Sequence, residues 1–590
     1  MNTSRRLGLP VLFGALTTLA GCGGAATGGD ATDAAENDAR QPVDAAPPTP
    51  DATPPTHDAA PPSLDAALSF DAAPPTRDAV APPPDAVAPT PDAVAPTPDA
   101  TPPTPDATPP TPDATLWPDA GAPGQPPHVE HVLMVSIDGL HGPDLERFVA
   151  QYPASNLAHL AARGLRFTNT AAPFPSDSFP SMLALFTGGT PRSTGVFYDL
   201  SYDRRLSPPG SQCARRGTLV DFSDAVDLDH HALDGGGGLN VAQLPLDPDL
   251  GCTPVLPHMY LQVNTAFEVL HAAGLRTAWS DKHLTYEILQ GPSGAGIDDL
   301  YNPEVSARGV NRTLAAVEAY DDLKIAAILN EIGGLDHAGG PATVPALFGT
   351  DLQAVSVTQK LPGAGYLDAA GTPSPDLDGA MQHTDAALGQ LVGALRTEGL
   401  WDSTLLVVTA AHGQSPMDPA RVNIVDPTLI PQLIDTAMPG LLAQATLDDV
   451  ALLWLNDPAQ AEAVSALLMA NADAAGIDDV LWGQALVDLY GDAAAQPRTP
   501  DLIARVRPGT IYTDPGKKIA EHGGDTEDDR KVALLIAGAD GAAGIGRVDD
   551  PVETRQVAPT VLQALRLDPA SLQAVVSEGT APLPGLTFGR

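Results

Sequence analysis

The stretch Val132-Leu133-Met134-Val135-Ser136-Ile137-Asp138-Gly139-Leu140 decides the fold. Residues 132–137 are apolar but for one serine. They read as a strand buried on both faces, because a strand wet on one side would alternate apolar with polar residues. A carboxylate and a glycine follow at once, so the strand ends on a group able to do chemistry. Strands buried on both faces belong to parallel sheets covered by helices, and such a chain alternates strand-like with helix-like runs.

That alternation runs outward from 132–137. Residues 156–163 read as a helix and 165–169 as a strand. A helix over 263–273, closed by Gly274, leads to a strand over 275–280. A helix over 321–332 precedes a strand over 346–349, and a long helix over 377–396 precedes a strand over 405–409. A late strand covers 531–537 and a closing helix 557–567. The strand 450–455 and the helix 458–474 read as part of an inserted lobe over about 415–500. Residues 202–257 are rich in Gly and Pro, hold Cys213 and Cys252, and read as a second insertion. The expected fold is α/β, a mostly parallel central sheet with helices on both faces. It fills residues 128–590 as one large domain with insertions, since so long a stretch exceeds a single compact core of usual size.

In a parallel sheet, ligands gather beyond the carboxyl ends of the strands. Asp138 stands at such an end. Ser178, in Ser176-Asp177-Ser178-Phe179-Pro180-Ser181, opens an apolar helix, where the helix dipole favours developing negative charge. His412 follows the strand 405–409 in Ala410-Ala411-His412-Gly413-Gln414. His522 precedes the last strand in Glu521-His522-Gly523-Gly524-Asp525. Imidazoles at strand margins suit ligation of zinc or a similar ion.

Taken in this order, the motifs resemble the alkaline phosphatase superfamily in its type I phosphodiesterase and nucleotide pyrophosphatase branch. SIDGL is similar to the segment with the first metal-binding aspartate, Asp138. SDSFPS and the following ALFTGGTPRSTGV resemble the stretch that opens on the nucleophile, which falls on Ser178. AAHGQ and EHGGD resemble the two His-Gly motifs and put His412 and His522 among the metal ligands. The resemblance implies a metal-dependent hydrolase of phosphate esters, a phosphodiesterase or nucleotide pyrophosphatase first, with phosphomonoesterase, sulfatase or a catalytically degenerate binding protein as alternatives. It implies one or two divalent ions, zinc first, with Asp138, Ser178, Asp351, His412 and His522 as ligands. One ion would lower the pKa of the seryl hydroxyl and the other would activate water.

The chain also departs from the pattern. Ala411 stands where the family has an aspartate. Val355 stands where a histidine follows Asp351 by four residues. Thr194 replaces a histidine. Asp199 stands where the branch has a phosphoryl-binding asparagine, and a carboxylate donates only when protonated. Asp281, or Asp336 with His337, are candidates to replace the missing ligands. Lys282 is a candidate substrate-binding residue or a positive charge in place of one ion.

The N-terminus reads as an address. Arg5 and Arg6 precede a short apolar run, and Leu19-Ala20-Gly21-Cys22 resembles a bacterial lipobox. Residues 1–21 are then a lipoprotein signal, with Cys22 lipidated and the chain anchored in the cell envelope at the outer membrane. Residues 22–127 are Pro, Asp, Ala and Thr in recurring units, with Asp85, Asp92, Asp99, Asp106 and Asp113 seven apart. So many prolines exclude a coiled coil and predict a disordered, extended stalk. In an oxidising compartment Cys213 and Cys252 read as one disulfide. A net charge of −42 argues against nucleic acid as a partner held by charge. The expected partners are a small phosphate ester and, through the lipid, a membrane.

Overall fold

The computed structural model describes residues 128–492, 496–539 and 544–588. Cys22, the signal sequence and the stalk lie outside them. The central sheet is built from β1 (His131–Ile137), β2 (Leu165–Ala171), β3 (Thr277–Ser280), β4 (Asp299–Tyr301), β5 (Leu347–Leu352) and β6 (Thr404–Thr409). Four strands of a second sheet follow: β7 (Leu442–Leu447), β8 (Val450–Leu455), β9 (Ile477–Trp482) and β10 (Leu502–Val506). The chain then returns to the first sheet with β11 (Lys531–Gly538) and β12 (Gly546–Val548).

The order in the central sheet is β12-β2-β11-β6-β1-β5-β3-β4, with Val552–Glu553 pairing beside β2. Every neighbouring pair is parallel except those made by β11, which runs against both β6 and β2. The sheet is therefore mostly parallel, as expected of a first strand without a polar face.

Side chains of successive strand residues point to opposite faces, and this period of two sorts the core. Val132 and Met134 of β1, Leu405 and Val407 of β6, and Leu534 and Ile536 of β11 pack on one face. That face is covered by α2 (Ser178–Thr187), α3 (Ala266–Ala272) and α6 (Val557–Ala564). Leu133, Val135, Ile137, Leu406, Val408 and Leu535 pack on the other. That face is covered by α1 (Asn156–Arg163), α4 (Leu314–Ile332) and α5 (Pro375–Thr397).

Several boundaries move, each for a local reason. The helix expected to start at 321 starts at Leu314, where the Thr313 side chain accepts from the Ala316 N–H. The helix expected from 263 starts at Ala266 behind Thr265, whose side chain accepts from the Glu268 N–H. The helix expected over 458–474 breaks into Pro458–Gln460, Ala461–Ala470 and Ala472–Ala475. The strand expected to stop at 349 runs to Leu352, because its pairing with β1 continues through Ser136 opposite Asp351 and Ile137 opposite Leu352. Asp351 is thus within a strand rather than after one.

The second sheet, in the order β7-β8-β10-β9, is wholly antiparallel and has its own core around Leu453, Leu455, Val464 and Leu468. At the start of the insertion over 202–257, Leu200–Asp203 pairs with Thr218–Asp221, and within it Cys213 and Cys252 form a disulfide. No described helix is long and apolar enough to cross a membrane.

Candidate active site

β1, β3, β5 and β6 run parallel, so their carboxyl ends share one edge of the sheet, and β11 brings its amino end to that edge by running the other way. Asp138 leaves β1 there, Asp351 lies one residue from the end of β5, Lys282 is two residues past β3, and His412 is three past β6. His522 lies in the segment leading to β11. That segment is tied down where Ser176 Oγ donates to the Gly524 carbonyl at 2.8 Å and the Tyr198 hydroxyl to the His522 carbonyl at 2.9 Å. Gly413 cannot be replaced cheaply, because a Cβ there would lie 2.0 Å from the Asp528 carbonyl oxygen. This close approach locks the turn that aims His412. Gly139, at φ +77°, turns the chain at the end of β1, and its N–H donates to the His412 carbonyl at 3.1 Å.

Ser178 is the first residue of α2, with Asp177 as its cap accepting from the Phe179 N–H at 3.0 Å. Its hydroxyl is the meeting point of three side chains. Lys282 Nζ donates to Ser178 Oγ at 3.0 Å, His412 Nε2 lies 3.0 Å from it, and His522 Nε2 lies 3.3 Å from it. The two imidazoles stack nearly parallel, with centroids 3.8 Å apart. His412 Nδ1 faces the Gly413 carbonyl at 2.6 Å. In the neutral ring this puts the proton on Nδ1 and leaves Nε2 to accept from the Ser178 O–H. Burial, with His412 and Lys360 nearby, holds His522 well below the usual imidazole range, so its ring is neutral at neutral pH.

The charge at the centre is lysine. Lys282 Nζ ion-pairs with Asp138 Oδ2 and lies 3.4 Å from Asp351 Oδ2. Burial opposes its charge, but Asp138 and Asp351 outweigh burial and hold the ammonium well above the usual lysine range. Burial likewise opposes the charge of Asp138, and Lys282 and His412 overcome it, so that carboxylate is held well below its usual range. Asp351 is pushed up, by burial and then by Asp138. Two neighbouring buried carboxyls thus share the compensation unequally. Gln353 donates through Nε2 to Asp138 Oδ2 at 2.9 Å and to Asp351 Oδ2 at 2.6 Å. The sequence reading passed over Gln353. Its one signal was its position two residues after Asp351.

The remaining candidates divide. Burial, with Asp177 and Asp221 close by, pushes Asp199 up to about 8. That is the direction in which a carboxyl keeps the proton it needs in order to donate. Asp281 accepts from Trp279 Nε1 at 2.7 Å and from the Lys282 N–H at 2.9 Å. It supports the strand end rather than joining the Ser178 group. His337 pairs with Asp299 at 2.5 Å and stacks on Tyr301 of the edge strand β4, while Asp336 accepts from the Gly340 N–H. They belong to a loop and do not replace the missing ligands. Val355 and Ala411 are buried in the two cores.

These residues do not fit a pair of divalent ions. The place between Asp138 and Asp351 is taken by the Lys282 ammonium, two expected donor positions carry apolar side chains, and among the described residues no three His, Cys, Asp or Glu are arranged to hold a metal ion. Asp138 Oδ1 and Asp351 Oδ1 are buried without a hydrogen-bond partner. Each belongs to a carboxyl whose other oxygen faces lysine and glutamine.

The fold is that of the alkaline phosphatase superfamily. Murine ectonucleotide pyrophosphatase / phosphodiesterase 5 superposes with a TM-score of 0.50 at 14% identity, covering 74% of this chain and 95% of that one. An inactive substituted form of the murine protein, in complex with AMP, superposes equally. A multiply substituted form of the alkaline phosphatase PafA superposes with a TM-score of 0.54 at 12% identity, covering 80% of this chain and 100% of that one. The model of the family described as type I phosphodiesterase / nucleotide pyrophosphatase matches residues 132–527. The chain belongs to that family. No curated protein sequence matches it.

Proposed function

We infer that the chain is a phosphoester hydrolase in which Ser178 is the nucleophile, with phosphodiesters of the nucleotide kind as its first substrate class. The observation that carries this reading is the Ser178 hydroxyl, held at a helix N-terminus within hydrogen-bond distance of one ammonium donor and two imidazole nitrogens. Membership of the phosphodiesterase family and the AMP complex of the murine relative support the substrate class.

The residues assign the steps. Ser178 Oγ attacks phosphorus as His412 Nε2 takes its proton. The Lys282 ammonium and the positive end of α2 stabilise charge developing on Oγ. The ester bond opposite Oγ breaks, and the leaving oxygen takes a proton from solvent. Water then attacks the phosphoseryl group from the vacated side. It gives up its proton to solvent, and Ser178 Oγ leaves with the proton held by His412. Protonated Asp199 is assigned to bind a phosphoryl oxygen.

Lipidation at Cys22 and anchoring at the outer membrane complete the proposal. Cys22→Ser should move the protein from the membrane to the soluble fraction. The central test is Ser178→Ala with bis(p-nitrophenyl) phosphate. Turnover should fall by about 10³-fold or more, and a phosphoserine should be trapped at position 178 in the parent alone. Full turnover by the variant sinks the assignment.

A further inference from the structure

We propose that Lys282 is the resident cation of this centre: its ammonium stands between Asp138 and Asp351 in place of a divalent ion, so the site works without metal there. The inference rests on the reading of Ser178 as nucleophile for its catalytic meaning, but not for its claim about cation binding.

The placement follows from strand register. Ser136 of β1 lies opposite Asp351 of β5, and Thr350 of β5 lies opposite Ser280 of β3. Asp138, Asp351 and Lys282 therefore stand within two residues of one another along three adjacent parallel strands. Lys282 is 5% exposed, Asp138 1% and Asp351 0%. A buried lysine that ion-pairs with one carboxylate, lies 3.4 Å from a second and donates to a nucleophile hydroxyl at 3.0 Å makes the contacts expected of a bound cation. Gln353 adds a neutral donor to the same two carboxyl oxygens, Asp138 Oδ2 and Asp351 Oδ2. A divalent ion brought there would meet a fixed positive charge inside the protein, where repulsion is weakly screened.

The other half of the argument is subtraction. Val355 and Ala411, at the two positions where the family resemblance called for a histidine and an aspartate, are fully buried core residues. Two absent ligands and one internal cation are consistent with each other. Each alone would leave either an underfilled metal site or an overcrowded one. The ammonium also differs from an ion in kind: it is a hydrogen-bond donor that stays with the chain and cannot be chelated away.

The test uses the full-length protein, with metal content read by elemental analysis and Zn²⁺ and Mg²⁺ titrated by calorimetry. The parent should hold substoichiometric metal after dialysis and show no tight binding of either ion, and its turnover should survive EDTA. Lys282→Ala should open the place between the carboxylates, so that calorimetry now detects a divalent ion. Its turnover should fall by about 10²–10³-fold and recover in part with methylammonium or with the ion. Lys282→Met, which keeps the volume without the charge, should show the same loss without the gain in metal binding.

Two tightly held ions in the parent, or turnover abolished by EDTA and restored by metal, would overturn the proposal. So would a Lys282→Ala protein that is folded by circular dichroism and still takes up no ion. If the variants do not fold, metal content and EDTA resistance of the parent decide alone. If the parent turns over no ester under any condition, the nucleophile reading fails, while calorimetry on parent and variant still decides the role of Lys282.

Discussion

Asp138 and Asp449 are both buried carboxyl groups, each 1% exposed, and the protein treats them in opposite ways. Asp138 faces the Lys282 ammonium and the Gln353 amide and is held ionised. Asp449 lies at the margin of the second sheet beside a second buried carboxyl, Asp529, and burial together with Asp529 pushes it well above the usual carboxylate range. A buried carboxyl either acquires a counter-charge or keeps its proton. The first arrangement concentrates charge beside Ser178. The second keeps a buried carboxyl neutral.

The contrast breaks most sharply at Asp138. Asp138→Asn leaves Lys282 buried without its principal counter-charge, which should cost about 3 kcal/mol or more in urea unfolding, along with most of the turnover. A variant as stable as the parent would mean that Lys282 does not depend on this pair.

A middle case is His283, the residue after Lys282. Burial works against its charge, but Glu304, 2.7 Å from Nδ1, raises it from 6.5 to about 9. A folded value above the unfolded one contributes stability that is complete below about 6.5 and lost as pH rises through about 9. His283→Asn should therefore cost about 2–3 kcal/mol at pH 6, with the gap closing by pH 10. Unfolding curves at the two pH values check this, and a gap independent of pH would show that packing rather than charge is at stake.

Asp449→Asn should have the smallest effect at low pH, since it replaces a neutral group by a neutral group of the same shape. Because the folded value of Asp449 lies above 3.8, the parent loses stability as pH climbs from there towards the folded value. The variant is spared that loss. Its stability in urea unfolding should equal the parent's within about 1 kcal/mol at pH 4 and exceed it as pH climbs from there. A constant difference would mean that Asp449 ionises freely.

Much of the sheet was legible in the sequence. The unbroken apolar run of β1, and the alternation of strand with helix, require a covered parallel sheet whatever the distant contacts are. The helix over Asn156–Arg163 was read to the residue, since the Ser155 cap and Gly164 punctuate it locally. The end of β5 was not legible, because Asp351 continues a strand only through its pairing with Ser136, and Asp looks like a stop signal by composition. The antiparallel direction of β11 was equally hidden, since strand direction leaves no trace in a short apolar run.

By itself, the sequence determined which chemical groups stand at strand ends: Asp138, Ser178, His412, His522 and Lys282 are all local features, each beside its own strand or helix start. It also showed that Ala411 and Val355 break the pattern. Only the tertiary structure decided what fills the gap. Lys282 and Asp138 are 144 residues apart, and their meeting depends on the register of three strands. Register is set by the summed packing of both faces of the sheet, so no single segment records it.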